Sequence, residues 1–282
     1  ITPVQTERAM RRNRLKKYLV FMRSGFQMTI AYRGMLLLWF IGAMISAVLM
    51  GLVWWAIYSF SPESMIAGYA FPQMLMYVIL SAVVCEVMYT STMGSITDDV
   101  RAGLIGMRLM KPINYRVQLG FTAMGEFLSR LIIIGIPVLA AGTLTVVFGF
   151  GLTGIRWYNI LLFLPACVLS SLTFDAIDFL FGQLAFRTQA MFGVASMSNM
   201  IMSFLSGGIV PVSLFPAWAQ TALIYTPFPS LISFPIRIFL GQVGWTEMLI
   251  GFAVSIAWIV GINVIAHFAY KSSVKHVVVF GG

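Results

Sequence analysis

What most constrains this chain is a succession of long apolar runs, at roughly residues 34–60, 66–89, 121–150, 159–186, 190–210 and 246–270. Each offers about 20 apolar residues, enough at 1.5 Å rise per helical residue for a ~30 Å hydrocarbon layer. Lipid cannot satisfy open backbone groups, so only helices and closed barrels span it. A barrel needs shorter strands that alternate apolar and polar residues, and these runs do not alternate. The reading is an all-α membrane protein with six transmembrane helices in one domain, residues 34–282, preceded by a cytoplasmic region, residues 1–33. Composition agrees: 60% of residues are hydrophobic and 10% charged, against about 25% charged in soluble domains.

Charge sets the orientation. Arg8, Arg11, Arg12, Arg14, Lys16, Lys17, Arg23 and Arg33 precede the first run. Arg101, Arg108, Lys111 and Arg116 separate the second from the third, Arg187 the fourth from the fifth, and Lys271 and Lys275 follow the sixth. The opposite loops carry only Arg156 and Arg237. Positive residues collect on the inner side, so both termini are expected in the cytoplasm of a bacterial inner-membrane protein. Trp54, Trp55, Tyr58, Trp157, Tyr158, Trp218, Tyr225 and Trp245 then fall at the outer interface, where amphipathic rings concentrate. The formal charge of +9 is explained by this placement beside the runs, and a nucleic-acid partner is not expected. The N-terminal stretch lacks the short apolar core and cleavage site of a signal peptide.

Two cytoplasmic elements stand out. Before the first run, Leu15, Tyr18, Leu19, Met22 and Phe26 repeat at helical spacing with Arg12, Lys16 and Arg23 on other faces, an amphipathic helix for the inner interface. It either anchors topology or packs against the bundle as an elbow. The second element is the loop over residues 96–118, long for a helix connection. Thr97, Asp98 and Asp99 can cap a helix start, Leu104, Met107 and Leu109 form an apolar side, and Pro112 ends the helix. This is a short amphipathic helix parallel to the membrane, meeting either headgroups or another protein.

Several charges fall inside or near the runs. Asp175 and Asp178 are three residues apart and share a helix face. Glu126 and Arg130 are four apart and can pair along their helix, and Glu86 approaches the inner end of the second run. Buried ionisable groups are costly in lipid, about 2.5–3.5 kcal/mol each, so all five should face protein or water. Arg130 is expected to pair with Glu126 or with an aspartate across on the fourth helix. Alternatively, Asp175 and Asp178 form a protonatable pair. Gly25, Gly34, Gly42 and Gly51 can let helices approach closely near the first run.

No phosphate-binding G-x-x-x-x-G-K-[ST] loop occurs, and GFGLTG at residues 149–154 lacks the strand and helix that a nucleotide site needs. His267 and His276 are too isolated for a metal site. Cys85 and Cys167 lie in apolar runs and form no metal or disulfide pattern. No constellation for an enzyme is present.

The segment at residues 103–113, GLIGMRLMKPI, resembles the G-x-[IL]-x-x-x-L-x-x-P-I segment of ABC-2 type ATP-binding-cassette permeases. LSGGIVPVSLFPAWAQTALIYTPF at residues 205–228, followed by PIRIFLG at 235–241, is similar to the late region of that family, with its Gly-Pro element, Phe-Pro-x-Trp and Pro-Phe before the last span. The resemblance covers nearly the whole chain. It implies a dimer of permeases, identical or related, with two ABC ATPase subunits that bind ATP and Mg; this chain itself would hold no cofactor. It also implies that Arg101, Gly103, Leu104, Met107, Arg108, Leu109 and Pro112 form the coupling helix that docks on the ATPase, and that the substrate is hydrophobic or amphipathic and exported. The alternatives of a different class are a proton-coupled secondary transporter using Asp175 and Asp178, and a non-transporting membrane assembly factor.

Residues 213–242 are apolar yet carry Pro216, Trp218, Pro227, Pro229 and Pro235. Pro216 suits the first position of a helix, the TPFP sequence breaks it, and a second piece over 230–240 ends at Gly241, with Pro235 expected to kink it. Each piece is about half the length of a span. The segment is therefore read as a re-entrant extracellular hairpin between spans five and six. Tags at Gly241 and Gly282 should report opposite sides of the membrane in an accessibility assay; the same side for both would overturn this topology.

Overall fold

The computed structural model describes residues 3–110, 113–151, 155–188 and 190–277, with side chains from residue 16 to 273 apart from Leu109. Lys111, Pro112, residues 152–154 of the GFGLTG turn, and the side chains of Leu15 and Lys275 therefore lie outside the described residues. The chain folds as helices α1 (Pro3–Ala31) and α2 (Arg33–Phe60), a two-stranded hairpin β1 (Met65–Ile66) and β2 (Tyr69–Ala70), then α3 (Phe71–Met88), α4 (Thr92–Arg101) and α5 (Ile105–Leu109). Next come α6 (Tyr115–Arg130) and α7 (Ile136–Phe150), joined by a π-helical turn at Leu131–Gly135, and α8 (Trp157–Gly182) with a 3₁₀ turn at Gln183–Phe186. The rest is α9 (Met191–Leu205), α10 (Ala217–Ile224), α11 (Ser233–Phe239) and α12 (Trp245–Val277).

Among the described residues, five helical stretches are long and apolar enough to cross a membrane: Arg33–Phe60, Phe71–Arg101, Tyr115–Phe150, Trp157–Phe186 and Trp245–Ser273. The shorter apolar α9 has 15 residues, about 22 Å of helix. The protein is a multi-pass, all-α membrane protein.

Two apolar runs depart from what their hydropathy suggests. Residues 66–70 are not helical. They form the β1–β2 hairpin, antiparallel with Ile66 opposite Tyr69, because Ala67 and Gly68 take the positive φ values that tight hairpin turns require. The third helix starts at Tyr115, before the apolar run, where the Asn114 side chain accepts from the Val117 amide. Its π turn lies just before Pro137, which has no N–H to donate to the preceding turn and crowds that turn's carbonyl.

The elbow alternative describes α1. It lies along α6, with Tyr18 stacked on Phe121 at 5.5 Å. A Cβ on Gly25 would strike the Thr122 carbonyl, and one on Gly125 would strike the carbonyl of Met22, so the two backbones meet at a pair of glycines. Leu19 stays exposed. The other glycines expected to pack closely behave differently: Gly34 and Gly42 face open space, and a Cβ on Gly51 would only touch Leu75, at 3.5 Å.

The centre of the bundle is α3, α8 and the proline-rich segment. Met74, Met76 and Leu80 of α3 are fully buried, as are Leu231, Ile232 and Ile236. The segment folds as two short helices. Pro216 stands at the N-cap of α10 with φ −54 and ψ 147, and Pro227 and Pro229 occupy the irregular link. The second helix is shorter than expected, and Pro235 does not kink it. Pro235 is its third residue, where no intrahelical partner for an N–H exists. Exposed Trp218 marks the outer face of α10.

Irregular backbone at this depth must find partners within the protein. It does so through neighbouring hydroxyls. Tyr77 Oη donates to the Gly207 carbonyl at 2.7 Å and Ser81 Oγ to that of Gly208 at 2.8 Å. Ser170 Oγ of α8 donates to the Leu231 carbonyl, and Trp258 Nε1 of α12 to that of Tyr225 at 2.8 Å.

Replacing Gly125 by Val should displace α1 and cost about 1–3 kcal/mol through overpacking. Gly34→Ala, in open space, should leave stability unchanged or slightly raised. Thermal melts of the two purified variants, with limited proteolysis of α1, compare them directly.

Candidate functional site

The centre of the candidate site is an interruption. Helix α3 ends at Met88 and α4 begins at Thr92. Residues 89–91 thus separate two helical pieces, and the first amides of α4 have no intrahelical partner. Three carboxylates from two other helices meet them. Glu126 of α6 accepts from the Ser91 amide at 3.1 Å and from Ser91 Oγ at 2.6 Å. Asp178 of α8 accepts from the Met93 amide at 2.7 Å. Asp175 of α8 accepts from Thr92 Oγ1 at 2.6 Å. All three are buried. The positive end of a helix suits negative groups, which offsets part of their desolvation.

The arginine pairings differ from those expected. Asp175 is bound by Arg116, not Arg130, at 2.6 Å. Arg116 also donates through Nε to Asn263 Oδ1 of α12 at 3.0 Å and covers the Phe179 ring at 4.6 Å. One guanidinium at the start of α6 thereby ties together α6, α8 and α12. The nearest ion-pair partner of Arg130 is Glu86 at 3.7 Å; Arg130 also donates to the Glu86 carbonyl at 3.2 Å and lies over Tyr89 at 5.1 Å. Glu126 is taken up by Ser91 instead. The interrupted helix supplies donors that take up the three acids, and Arg130 is left to Glu86 and Tyr89.

The predicted single helix over 96–112 is two helices. Thr97, Asp98 and Asp99 do not cap a helix start; they lie in the last turns of α4, and Thr97 Oγ1 donates back to the Met93 carbonyl at 2.8 Å. Gly103 turns the chain with φ +67, a left-handed conformation that favours glycine, and the five-residue α5 follows. Asp99 holds the pair together: it accepts from Tyr115 Oη at 2.8 Å and pairs with Arg108 Nε at 2.8 Å. Ile105 is buried beneath α5, while Leu104, Met107 and Met110 are exposed, Met107 by 55%. The element thus presents an apolar tip beside Arg101 and Arg108 at one end of the bundle.

A cavity of about 760 Å³ opens between α2 on one side and α3 and α9 on the other. Trp39, Met50, Trp54 and Val78 give it apolar walls. Its polar end holds Glu86, Tyr89, Ser91, Glu126 and Arg130, so it ends on the same interruption that anchors α4.

Comparison with protein families matches residues 43–279 to the family described as ABC-2 family transporter protein. The chain belongs to the ABC-2 transporter family. It is a permease, the transmembrane component that works with ABC ATPase partners. The match leaves out α1 and the start of α2. Comparison with curated proteins finds no match.

In this permease the structure places the five charged residues of the apolar runs in two clusters, Glu126 with Asp175 and Asp178 at α4, and Glu86 with Arg130 at the cavity. Arg101, Gly103, Leu104, Met107 and Arg108 lie together on the α4–α5 element; Pro112 falls outside the described residues. Sequence reasoning missed Ser91, Thr92, Ile105, Tyr115 and Asn263, and counted Arg116 only as a topology charge. One signal was available. TSTMGS at residues 90–95 gathers hydroxyl residues and a glycine, which favour caps and turns over helix interiors.

Replacing Arg116 by Gln leaves Asp175 buried beside Thr92 alone, and should cost about 3–5 kcal/mol as the broken half of a buried pair. The double variant Arg116→Gln/Asp175→Asn should recover over half of that loss. Thermal unfolding in detergent through the double-mutant cycle measures both.

Proposed function

We propose that this permease is one half of a dimeric exporter that moves a hydrophobic or amphipathic substrate across the bacterial cytoplasmic membrane, with ATP and Mg bound by a separate ATPase subunit. The α4–α5 element is the coupling device that receives the ATPase. The observation that carries this reading is the combination of an exposed apolar tip at Leu104, Met107 and Met110 with a base bonded to α6 and α8. A tip of this kind buries apolar surface against a partner. Its base can pass displacement into the bundle, because Asp99, Glu126, Asp175 and Asp178 leave it little freedom to slide.

The orientation follows from charge. Arg101, Arg108, Arg187 and Lys271 belong to the α4–α5 end, and Arg156 and Arg237 to the opposite one, which suits a cytoplasmic placement of the coupling element and of both termini. A closing ATPase pair would push α5, and the interruption at residues 89–91 would let α4 move with respect to α3. The cavity between α2, α3 and α9 lies beside that joint and suits a substrate with an apolar body and a polar end. Exposed side chains such as Trp39 on α2 and Met200 on α9 make these helices candidates for the contact with a second permease, identical or related. Asp175 and Asp178 are both engaged in holding α4, and this engagement favours a structural role for them over proton coupling.

Met107→Asp and Leu104→Asp place a charge on the apolar tip without touching the core. Both variants should fold, yet lose at least about tenfold in co-purification with the ATPase, the worth of ~1.4 kcal/mol, and lose coupled transport. Normal assembly and transport by both would sink the coupling assignment. Vanadate-sensitive transport that requires the ATPase is the expected behaviour in vesicles; transport by the permease alone on a proton gradient would replace this reading with a secondary carrier.

A further inference from the structure

A second cavity, of about 350 Å³, opens at the end of the bundle opposite α4–α5. It lies between the N-termini of α3 and α8 and the chain that links α11 to α12. Its chemistry differs from that of the larger cavity. Gln73, Arg156, Tyr158, Asn159 and Gln242 line it together with Trp245, and no acidic residue does. Leu162, Ile238 and Met248 form an apolar floor.

Four observations point to an anionic guest. Asn159 is only 5% exposed, lines the cavity, and its side chain makes no hydrogen bond among the described residues. Its amide borders the cavity, where a ligand can pair with it. Arg156 forms no ion pair among the described residues; one Nη donates to Tyr158 Oη at 2.6 Å, and its remaining N–H groups are left for another acceptor. Arg237 of α11 and Glu247 of α12 pair with each other at 2.7 Å, and neither lines the cavity. Gln73 has its orientation set, since its Oε1 accepts from the Ala70 amide at 3.0 Å, so its NH₂ group is the free end. The side chain of the N-cap residue Arg156 does not cap the first turn of α8, and the amides of that turn add to the positive field.

The surroundings identify the source of the anion. Trp157 and Trp245 flank the cavity and are both largely exposed, and Tyr158 packs on Trp245 at 5.7 Å. Such rings mark the headgroup level of a bilayer. The volume admits a headgroup but excludes acyl chains, which would run down the exposed faces of α8 and α12 past Leu161 and Leu249.

We propose that this cavity binds the phosphate of a lipid headgroup, in the leaflet opposite the coupling element. Arg156 supplies the charge, and the amides of Asn159, Gln73 and Gln242 supply further donors. With the orientation proposed above, this is the outer leaflet; the binding itself does not depend on that orientation or on transport. Such a lipid would bridge α8 and the start of α12, and so hold the outer ends of two spans at a fixed separation.

The test uses the full chain in maltoside micelles with a benzophenone amino acid in place of Val243, which also lines the cavity. The probes are dioctanoyl phosphatidylglycerol, dioctanoylglycerol and inorganic phosphate. Illumination should attach phosphatidylglycerol, read by intact mass, and Arg156→Gln and Asn159→Leu should each lower the yield at least about fivefold. Arg156 is exposed, so its variant retains the fold. Dioctanoylglycerol should label weakly, and excess inorganic phosphate should leave the lipid adduct in place. Equal labelling by dioctanoylglycerol, no phosphatidylglycerol adduct, or yields unchanged by both substitutions would overturn the phosphate site. Suppression of the adduct by inorganic phosphate would overturn the lipid source and assign the site to a soluble phosphate.

Discussion

The amides freed where α3 gives way to α4 are the constraint on which much of this structure depends. In a bilayer an unpaired backbone N–H has no water to turn to. Glu126 and Asp178 supply acceptors for the Ser91 and Met93 amides, and Asp175 takes the hydroxyl of Thr92. Three acids placed together would repel one another and resist burial. Arg116 lowers that cost at Asp175, and in reaching it also binds Asn263 on α12. A single local interruption thus fixes the relative placement of four helices.

The same rule governs the proline-rich segment at the other side of the core. There the unsatisfied groups are carbonyls, and the partners are hydroxyls rather than carboxylates. Tyr77, Ser81 and Ser170 donate to residues 207, 208 and 231. The division is chemical: carbonyls accept and need donors, whereas the start of a helix offers donors and needs acceptors. Both irregular segments pack on α3 or its continuation, and more than half of the residues of α3 are buried. Function as an ABC-2 permease sits on this frame. The α4–α5 element is rigidly based but apolar at its tip, and the large cavity ends at the joint between α3 and α4. Under the proposed function, force applied to the tip would have only a few buried polar contacts to cross before the cavity.

Much of the architecture was legible because the signals are local. Long apolar runs, the basic connecting loops and the helix-breaking prolines each reflect a property of the residue itself. The exposed tip at Leu104 and Met107 was visible for the same reason. Pairings were not. Glu126 and Arg130 have the spacing of an intrahelical pair, yet Glu126 turns to Ser91 and Arg130 to Glu86, since the energy of a buried charge depends on which groups surround it. Likewise Thr97, Asp98 and Asp99 have the composition of a cap, but the helix they lie in had already begun at Thr92 under carboxylates contributed by α6 and α8. Gly34 and Gly42 look like packing glycines and face open space, whereas Gly25 and Gly125 meet α6 and α1.

The sequence by itself determined that this chain is a helical membrane protein, where its apolar runs lie, and that residues 213–242 cannot form one regular helix. These follow from hydropathy, length and the missing N–H of proline, which no neighbour alters. Tertiary structure alone decided which acid meets which amide, that Arg116 is the cation joining α6, α8 and α12, and that α1 docks on α6. Those outcomes depend on distances between residues 35 to 147 positions apart, and burial makes each such contact strong enough to override the local preference of the sequence.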